Sequence, residues 1–148
     1  MPLASQDTTL VRRSSAPMPW AAAWGWLVRP NHYRAVHSLR MAAERGDAQR
    51  LASFLDPRVS IVVDSGDAEH PTIRVVNGVR DAIALLVHGM GARPGRVVVE
   101  RSVNGQAGLV LSSDDEAEAA IAVDFTGRLV SLMWIRLQPR MQRHWNAV

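Results

Sequence analysis

The last third of the chain, from Arg101 to Pro139, constrains the fold more than any other stretch. Its β-branched and aliphatic runs are separated by turn chemistry at Asn104-Gly105 and again at Thr126-Gly127, residues that tolerate positive φ. These runs predict consecutive strands joined by tight turns. An antiparallel meander that follows a helical first half limits the chain to a few arrangements of helices and sheet.

The region before the meander opens with helical patterns. Residues His32 to Arg45 have helix-compatible composition, and Gly46 is a natural helix stop. Asp47 is then expected to cap a second short helix, which Asp56-Pro57 ends. The sequence therefore predicts two helices before the first strand.

Two strands and a third helix follow in the prediction. The strands are expected over Val59–Val63 and, started by Pro71, over His70–Val76. Asn77 is expected to cap a helix whose apolar residues recur at helical spacing, namely Val79, Ile83, Leu86, Val87 and Met90. The predicted order is α-α-β-β-α-β-β-β-β, an α+β fold with helices on one face of a curved sheet.

Composition excludes several kinds of chemistry. The 148 residues include no cysteine, and all 17 basic residues are arginine, so thiolate, disulfide and Schiff-base lysine chemistry are excluded. The formal charge is only +3 and the arginines are scattered, which argues against direct nucleic-acid binding. No apolar run is long enough to cross a membrane. These features predict a cytoplasmic protein.

The N-terminal stretch differs from the rest. Residues Met1 to Pro19 are rich in Ser, Pro and Thr without periodicity, which predicts disorder. An apolar run then carries three tryptophans, but no small-residue cleavage site of a signal peptide follows it. We predict a flexible Trp-bearing arm over residues 1–30 and one domain over residues 31–148. The arm either docks on a partner or covers an apolar edge of the domain.

Four segments carry a resemblance to a known family: DAQRLASFLDPRVSIVVDSG, VVNGVRDAIALLVHG, SVNGQAGLVL and VDFTGRLVSLMWIRLQP. They resemble the SnoaL-like branch of the NTF2-like superfamily. More narrowly, they are similar to the domain at the C-terminus of a group of actinobacterial extracytoplasmic-function sigma factors. The resemblance covers about Tyr33 to Asn146. It implies an α+β cone whose curved, mixed sheet wraps a pocket roofed by three helices on the concave face.

The departures from that group limit what the resemblance implies. This chain has no room for the upstream sigma domains, and the signature after the last strand is matched only at Pro139. The resemblance therefore implies a regulatory module standing alone, without a cofactor. Its expected partners are a small apolar molecule, a transcription-related protein, or both. A homodimer is a further expectation, since the outer face of such sheets often pairs.

Other members of the superfamily are isomerases, cyclases and epoxide hydrolases that use no cofactor. Their chemistry needs a carboxylate base in an apolar pocket, where desolvation raises the pKa. The place that holds the base in isomerase-like members falls near Ile61, which is apolar. Under this alternative Asp64 is the catalytic base and Tyr33 the proton donor. A turn-forming aspartate and a core-closing aromatic are the competing interpretations of those two residues.

Side chains expected to line a ligand site are Tyr33, His37, Val62, Asp64, Glu100, Trp134 and Arg136. Strand alternation places Val62 on the face of Asp64, and Arg136 on the face of Trp134. Glu100 either faces the pocket or forms a surface pair of the kind Arg101 offers. No metal site is predicted, because His32 and His37 lie on different helix faces without a completing carboxylate.

Overall fold

The helices and strands follow the predicted order. The computed structural model describes residues 19–66, 69–70 and 72–138. Its helices are α1 (Pro19–Glu44), α2 (Ala48–Phe54) and α3 (Val79–Met90). Its strands are β1 (Leu55–Asp64), β2 (Ile73–Asn77), β3 (Arg96–Val103), β4 (Gln106–Ser113), β5 (Glu116–Thr126) and β6 (Leu129–Leu137). The predicted α+β class is confirmed.

Several boundaries differ from the prediction, among them those of β2, which runs from Ile73 to Asn77 and not from His70 to Val76. Helix α1 begins at Pro19, well before His32. Strand β1 begins at Leu55 and takes in Asp56 and Pro57, which had been expected to separate helix from strand. Leu55 is already extended, and the Asp56 carboxylate accepts a hydrogen bond from the Arg58 N–H at 2.8 Å. The pairing of β1 with β6 is irregular between Leu55 and Ser60, which accommodates the proline.

The chain divides into two units, residues 1–31 and residues 32–148. The second unit contains the sheet, α2, α3 and the part of α1 from His32 onward. Residues 1–18 of the predicted arm, and the prolines at 71 and 139, lie outside the described residues, so the disorder of the arm stays a prediction. Among the described helices, none is long and apolar enough to span a bilayer.

Strands β3 to β6 form the expected meander. Asn104 and Gly105 join β3 to β4 with φ of 52° and 77°, as their sequence predicts. The next turn, at Asp114 and Asp115, also has positive φ at both residues, 50° and 66°. Asparagine and aspartate tolerate this conformation better than other side chains, which lets each turn close within two residues.

The six strands form one open, curved sheet in the order β2-β1-β6-β5-β4-β3. Strand β1 runs parallel to β6, and every other pair is antiparallel, so the sheet is mixed. The first strand thus lies beside the last one at the centre of the sheet. Strands β2 and β3 form its two edges.

The hydrophobic core lies between the concave face of the sheet and the three helices. Alternation along β1 turns Ile61 and Val63 towards the helices, and Met133 and Ile135 on β6 lie beside them in register. Opposing aliphatic residues from the helices are equally buried: Val36, Leu39, Leu51, Leu85, Leu86 and Met90. Each such side chain stabilises the fold by about 1.5–3 kcal/mol.

The start of α3 corrects one sequence prediction. Asn77 does not cap the helix; it is the last residue of β2, and its Oδ1 accepts a hydrogen bond from the Ser60 hydroxyl at 2.7 Å. Gly78 is the N-cap instead, with φ 88° and ψ 159°. The sharp reversal from strand to helix needs a backbone conformation that is open to glycine alone, and this displaces the cap by one residue.

Candidate functional site

The residues predicted to form a site separate into two groups on opposite faces of the sheet. Four of them lie on the face turned away from the helices, where the register pairs Val62 with Trp134 and Asp64 with Arg136. The other three, Tyr33, His37 and Glu100, lie on the helix side. The structure therefore brings the predicted residues together in two places, not one.

The first group belongs to a surface that we call the outer sheet face, defined by the residues of β1, β2, β3 and β6 whose side chains point away from the helices. They include Val62, Asp64, Ile73, Val75, Val97, Val99, Trp134 and Arg136, and the same side also carries Ser60, Asn77, Arg101 and Leu132. Several are large, apolar and exposed: Ile73 by 57%, Val75 by 52% and Trp134 by 43%. Between β6 and β3 the same side carries Ala120 and Ala122 of β5 and Val110 of β4, so apolar side chains continue from β2 across the sheet to β3.

One ion pair crosses the outer sheet face. Arg136 Nη2 lies 4.0 Å from Asp64 Oδ2, and the arginine side chain is 77% exposed. A pair at this distance in water contributes little to stability. It does place one positive and one negative group beside Trp134 on an otherwise apolar part of the surface.

The second group forms a polar cluster between α1 and β3. His37 Nδ1 is hydrogen-bonded to Glu100 Oε1, and Arg40 Nε lies 3.2 Å from the same oxygen. Arg40 Nη1 also donates to both carboxylate oxygens of Glu44, at 3.1 and 3.2 Å. Tyr33 lies one helical turn before His37 and packs against the hydrophobic core. The cluster joins the helix to the edge strand.

The charges of this cluster determine what Glu100 can do. Burial acts to raise the pKa of Glu100, but the hydrogen bonds and charges of His37 and Arg40 outweigh it and lower the pKa below its ordinary value. Burial likewise acts to lower the pKa of Arg40, yet Glu100 and Glu44 raise it. A carboxylate held ionised by an arginine is a weak base. The arrangement therefore suits a structural contact better than proton abstraction.

The geometry does not bring together the pair on which the enzymatic alternative depends. Asp64 lies on the outer sheet face, whereas Tyr33 packs with the core on the helix side. Ile61, near which the resemblance to isomerase-like members led us to expect a base, is fully buried in that core. Within the part of the chain that the structure describes, the sheet separates Asp64 from Tyr33, so one is not placed to remove a proton that the other supplies.

A buried ion pair that the sequence did not predict lies at one end of the sheet. Arg96 Nη2 lies 3.2 Å from Glu118 Oε1, and their side chains are only 4% and 1% exposed. Glu118 Oε2 also accepts from the Ser113 hydroxyl at 2.6 Å, and Arg96 Nη1 donates to the Gly91 carbonyl at 3.0 Å. Burial lowers the pKa of Arg96, an effect the charge of Glu118 opposes. No local signal in the sequence marks Glu118 as buried.

The remaining histidine of α1 that had been weighed as a metal ligand has an aromatic partner. The rings of His32 and Phe125 are stacked, with centroids 4.3 Å apart and planes within 7°. Within the described part of the chain, no group of three or more His, Cys, Asp or Glu side chains is placed to hold a metal ion.

An open groove runs between the edge strand β2 and helix α3. Its volume is about 610 Å³, and its walls are Arg74, Val75, Val76 and Asn77 from the strand and Asp81 and Ala84 from the helix. An arginine on one wall and an aspartate on the other make it polar as well as apolar. It lies at the rim of the sheet, outside the core.

Solved structures share this architecture. An NTF2-like protein of unknown function from Burkholderia xenovorans matches with a TM-score of 0.51 at 16% identity, over 75% of this chain and 86% of that one. The chain has the NTF2-like fold. Both the curved sheet and the three helices on its concave face, expected from the resemblance, are confirmed.

Two further NTF2-like neighbours have more specific descriptions. The extracytoplasmic function sigma factor SigJ of Mycobacterium tuberculosis matches with a TM-score of 0.55 at 20% identity, over 82% of this chain and 48% of that one. A putative ketosteroid isomerase from Kribbella flavida matches with a TM-score of 0.53 at 13% identity, over 75% and 80%. A scan against protein-family models and a comparison with curated proteins found no match. At such identities the likeness extends to the fold alone.

Proposed function

We propose that this NTF2-like chain is a noncatalytic regulatory module that binds a protein partner through its outer sheet face. The observation that carries the proposal is the segregation of exposed apolar side chains. Among residues 32–66, 69–70 and 72–138, whose side chains the structure describes, the exposed large hydrophobic side chains all lie on that one face: Ile73, Val75, Val97, Val99 and Trp134. A continuous apolar surface of this kind is typical of an interaction site.

The centre of the surface has the features of a binding hot spot. Trp134 is flanked in register by Val62 on β1 and Ala122 on β5, and Arg136 follows on the same face of β6. Tryptophan and arginine are enriched where single residues dominate binding energy. The Asp64–Arg136 pair beside Trp134 offers charges that orient a partner without burying an isolated ion.

The packing of the core supports a surface site over an interior one. Aliphatic side chains with no exposure occupy the space between sheet and helices, including Leu85 and Leu86 from α3 and Met133 from β6. The small apolar ligand implied by the family resemblance would have to displace them. A protein partner on the outer sheet face requires no such rearrangement.

We further propose that the partner is a transcription-related protein of the cytoplasm. The likeness to the SigJ sigma factor, which extends over 48% of that chain, supports this choice. The module would then act by occupying or releasing a surface of the partner, and Trp134 would be central to the contact.

The proposal is tested by capturing partners from the host with tagged protein and weighing the intact complexes by native mass spectrometry. Trp134→Glu removes the central apolar side chain and introduces a negative charge. Gln49→Glu introduces the same charge at an exposed position of α2, away from the sheet. We expect a protein that is recovered with the wild type and with Gln49→Glu, and lost with Trp134→Glu.

Thermal unfolding of each variant establishes that the fold is kept. Recovery of the partner at the wild-type level with both Trp134→Glu and Val99→Glu would show that the outer sheet face is not the binding surface. Recovery of a small molecule with no protein would overturn the proposal in favour of ligand binding.

A further inference from the structure

Strand β2 is an edge strand with an apolar side. Within the described residues its one strand neighbour is β1. Its residues Ile73 and Val75 are 57% and 52% exposed, and its one charged side chain is Arg74. Edge strands of soluble proteins usually carry charges, prolines or bulges that discourage pairing. The run Ile73–Asn77 has little of this protection.

The direction of the backbone groups of β2 follows from two hydrogen bonds at its ends. Thr72 C=O accepts from Ser65 N–H at 3.0 Å, and Gly78 N–H donates to Val59 C=O at 2.8 Å. In an antiparallel pair such bonds recur at every second residue, so the even-numbered residues of β2 bond to β1. The N–H and C=O groups of Ile73, Val75 and Asn77 therefore point away from the sheet.

These outward groups are arranged symmetrically about Val75. The geometry points to an edge-to-edge dimer, in which β2 pairs antiparallel with β2 of a second copy of this chain about a two-fold axis at Val75. In this register Val75 faces its own counterpart, and Ile73 faces Asn77 of the second copy. Every outward N–H and C=O of the strand then finds a partner, and the two sheets become one.

The side chains fit the same register. Ile73 and Val75 point to the outer sheet face, where Val75 packs beside Val75 of the second copy and Ile73 beside its Asn77. Arg74 lies opposite Val76 of the second copy, so no like charges meet across the axis. Arg74 points to the helix side, where it lines the groove of its own copy together with Asp81, so each arginine keeps an opposite charge on the facing wall.

The dimer would place the outer sheet faces of two copies side by side, and it stands whether or not that face binds a partner. Its test uses the absence of cysteine from this chain, which makes any introduced thiol unique. Residues that face each other across antiparallel strands have Cα atoms about 5.5 Å apart, within the range of a disulfide. A cysteine at the two-fold axis is therefore expected to join two copies.

We would oxidise the 148-residue Val75→Cys protein with copper phenanthroline and measure covalent dimer on a non-reducing gel. Val97→Cys is the matched control, since Val97 is 52% exposed like Val75 but lies on β3 at the other edge. We expect at least tenfold more dimer from Val75→Cys. Equal crosslinking of the two variants would overturn the proposal.

The register has a second test. Ile73→Cys and Asn77→Cys proteins are mixed, and the expected product is the mixed disulfide, with little product from Ile73→Cys alone. Dominant Ile73→Cys homodimer would exclude the two-fold axis at Val75.

A third measurement does not depend on an introduced cysteine. Val75→Pro removes the N–H at the axis but no hydrogen bond to β1, so the fold is expected to persist. In sedimentation velocity the wild type should shift towards dimer as concentration rises, and Val75→Pro should stay monomeric. Val75→Lys serves the same purpose if the proline variant is unfolded by circular dichroism. A monomeric wild type at all concentrations, or a dimer kept by both variants, would contradict the inference.

Discussion

At Glu118 the chain buries a carboxylate that its sequence does not mark. The neighbouring residues Ala119 and Ile121 are typical of a strand core, and Glu118 is tolerated there because Arg96 and Ser113 hold both of its oxygens. We expect Glu118→Gln to lower the free energy of unfolding by about 3–5 kcal/mol, because it leaves the Arg96 charge buried without a counter-ion. Urea denaturation at neutral pH measures this loss.

Glu116→Gln is the matched control, since Glu116 lies on the same strand and is exposed. Its effect should stay within about 0.5 kcal/mol. The double variant Arg96→Met with Glu118→Leu should recover part of the loss, because an apolar pair removes both buried charges together. Equal destabilisation by Glu116→Gln and Glu118→Gln would contradict the assigned burial.

The cluster around Glu100 predicts an acid-dependent stability. Because its pKa in the folded chain is lowered, Glu100 binds its proton less readily when folded than when unfolded. Its contribution is therefore present above the ordinary glutamate pKa and is lost as the pH falls through the folded value. We expect Glu100→Gln to cost about 1–2 kcal/mol at pH 7 and progressively less below about pH 4.5, as measured by urea denaturation across that range.

Arg40→Met provides the control for that prediction, because Arg40 supplies one of the charges that lower the Glu100 pKa. In the Arg40→Met background the further effect of Glu100→Gln should shrink. A Glu100→Gln effect that is unchanged between pH 7 and pH 3 would exclude the ionised carboxylate as its source.

The placement of individual side chains could be predicted from the sequence only in part. Alternation correctly grouped Val62 with Asp64 and Trp134 with Arg136, because that pattern is a property of the strand itself. It could not tell which group faces the helices, since that depends on the whole sheet. Likewise Arg40 and Glu44 are visible as a helical i,i+4 pair, but the contact of either with Glu100 joins distant parts of the chain.

Among the elements, the connection from β2 to α3 depends on one backbone conformation. Gly78 has φ 88° and ψ 159°, a region that is almost closed to residues with a side chain. An added Cβ would meet no atom within 4 Å, so strain and not collision decides the effect of substitution. We expect Gly78→Asn to destabilise the fold by about 1–3 kcal/mol in thermal or urea unfolding.

Gly105→Asn is the comparison, because Gly105 lies in a two-residue hairpin turn at φ 77°, where asparagine is well tolerated. Its cost should be clearly smaller than that of Gly78→Asn. If Gly78→Asn and Gly105→Asn lowered the free energy of unfolding equally, the backbone conformation of Gly78 would not be what determines the start of α3.

The order of elements could be predicted because helix periodicity, strand alternation and turn residues are local. The exceptions have local causes too. Asn77 is a residue type that often caps helices, but here its side chain accepts a hydrogen bond from Ser60 and the residue belongs to β2. The parallel pairing of β1 with β6 could not be predicted from any segment. The two strands are the first and the last of the sheet along the chain, and no residue pattern in either strand identifies the other as its partner.

For the molecule as a whole, the sheet order predicts a gradient of local stability. Strand β6 lies between β1 and β5, bonded on both sides and backed by the core, whereas β3 is bonded on one side only. Amide hydrogen exchange followed by mass spectrometry should show the longest protection over Leu129–Leu137. Earlier exchange there than over Arg96–Val103 would indicate that the sheet opens from its centre.

The parallel contact at the centre of the sheet has a consequence for how the chain is made. During synthesis β1 and β2 leave the ribosome early, yet the strand that joins them to β3, β4 and β5 is the last of the sheet to emerge. Until then the nascent chain holds β1 with β2 and, separately, β3 with β4 and β5, and the edges of β1 and β5 that β6 will pair with stay open. A ribosome stalled before β6 would therefore leave both of these strand edges exposed. The sheet is complete only once β6 has emerged and paired with β1 and β5.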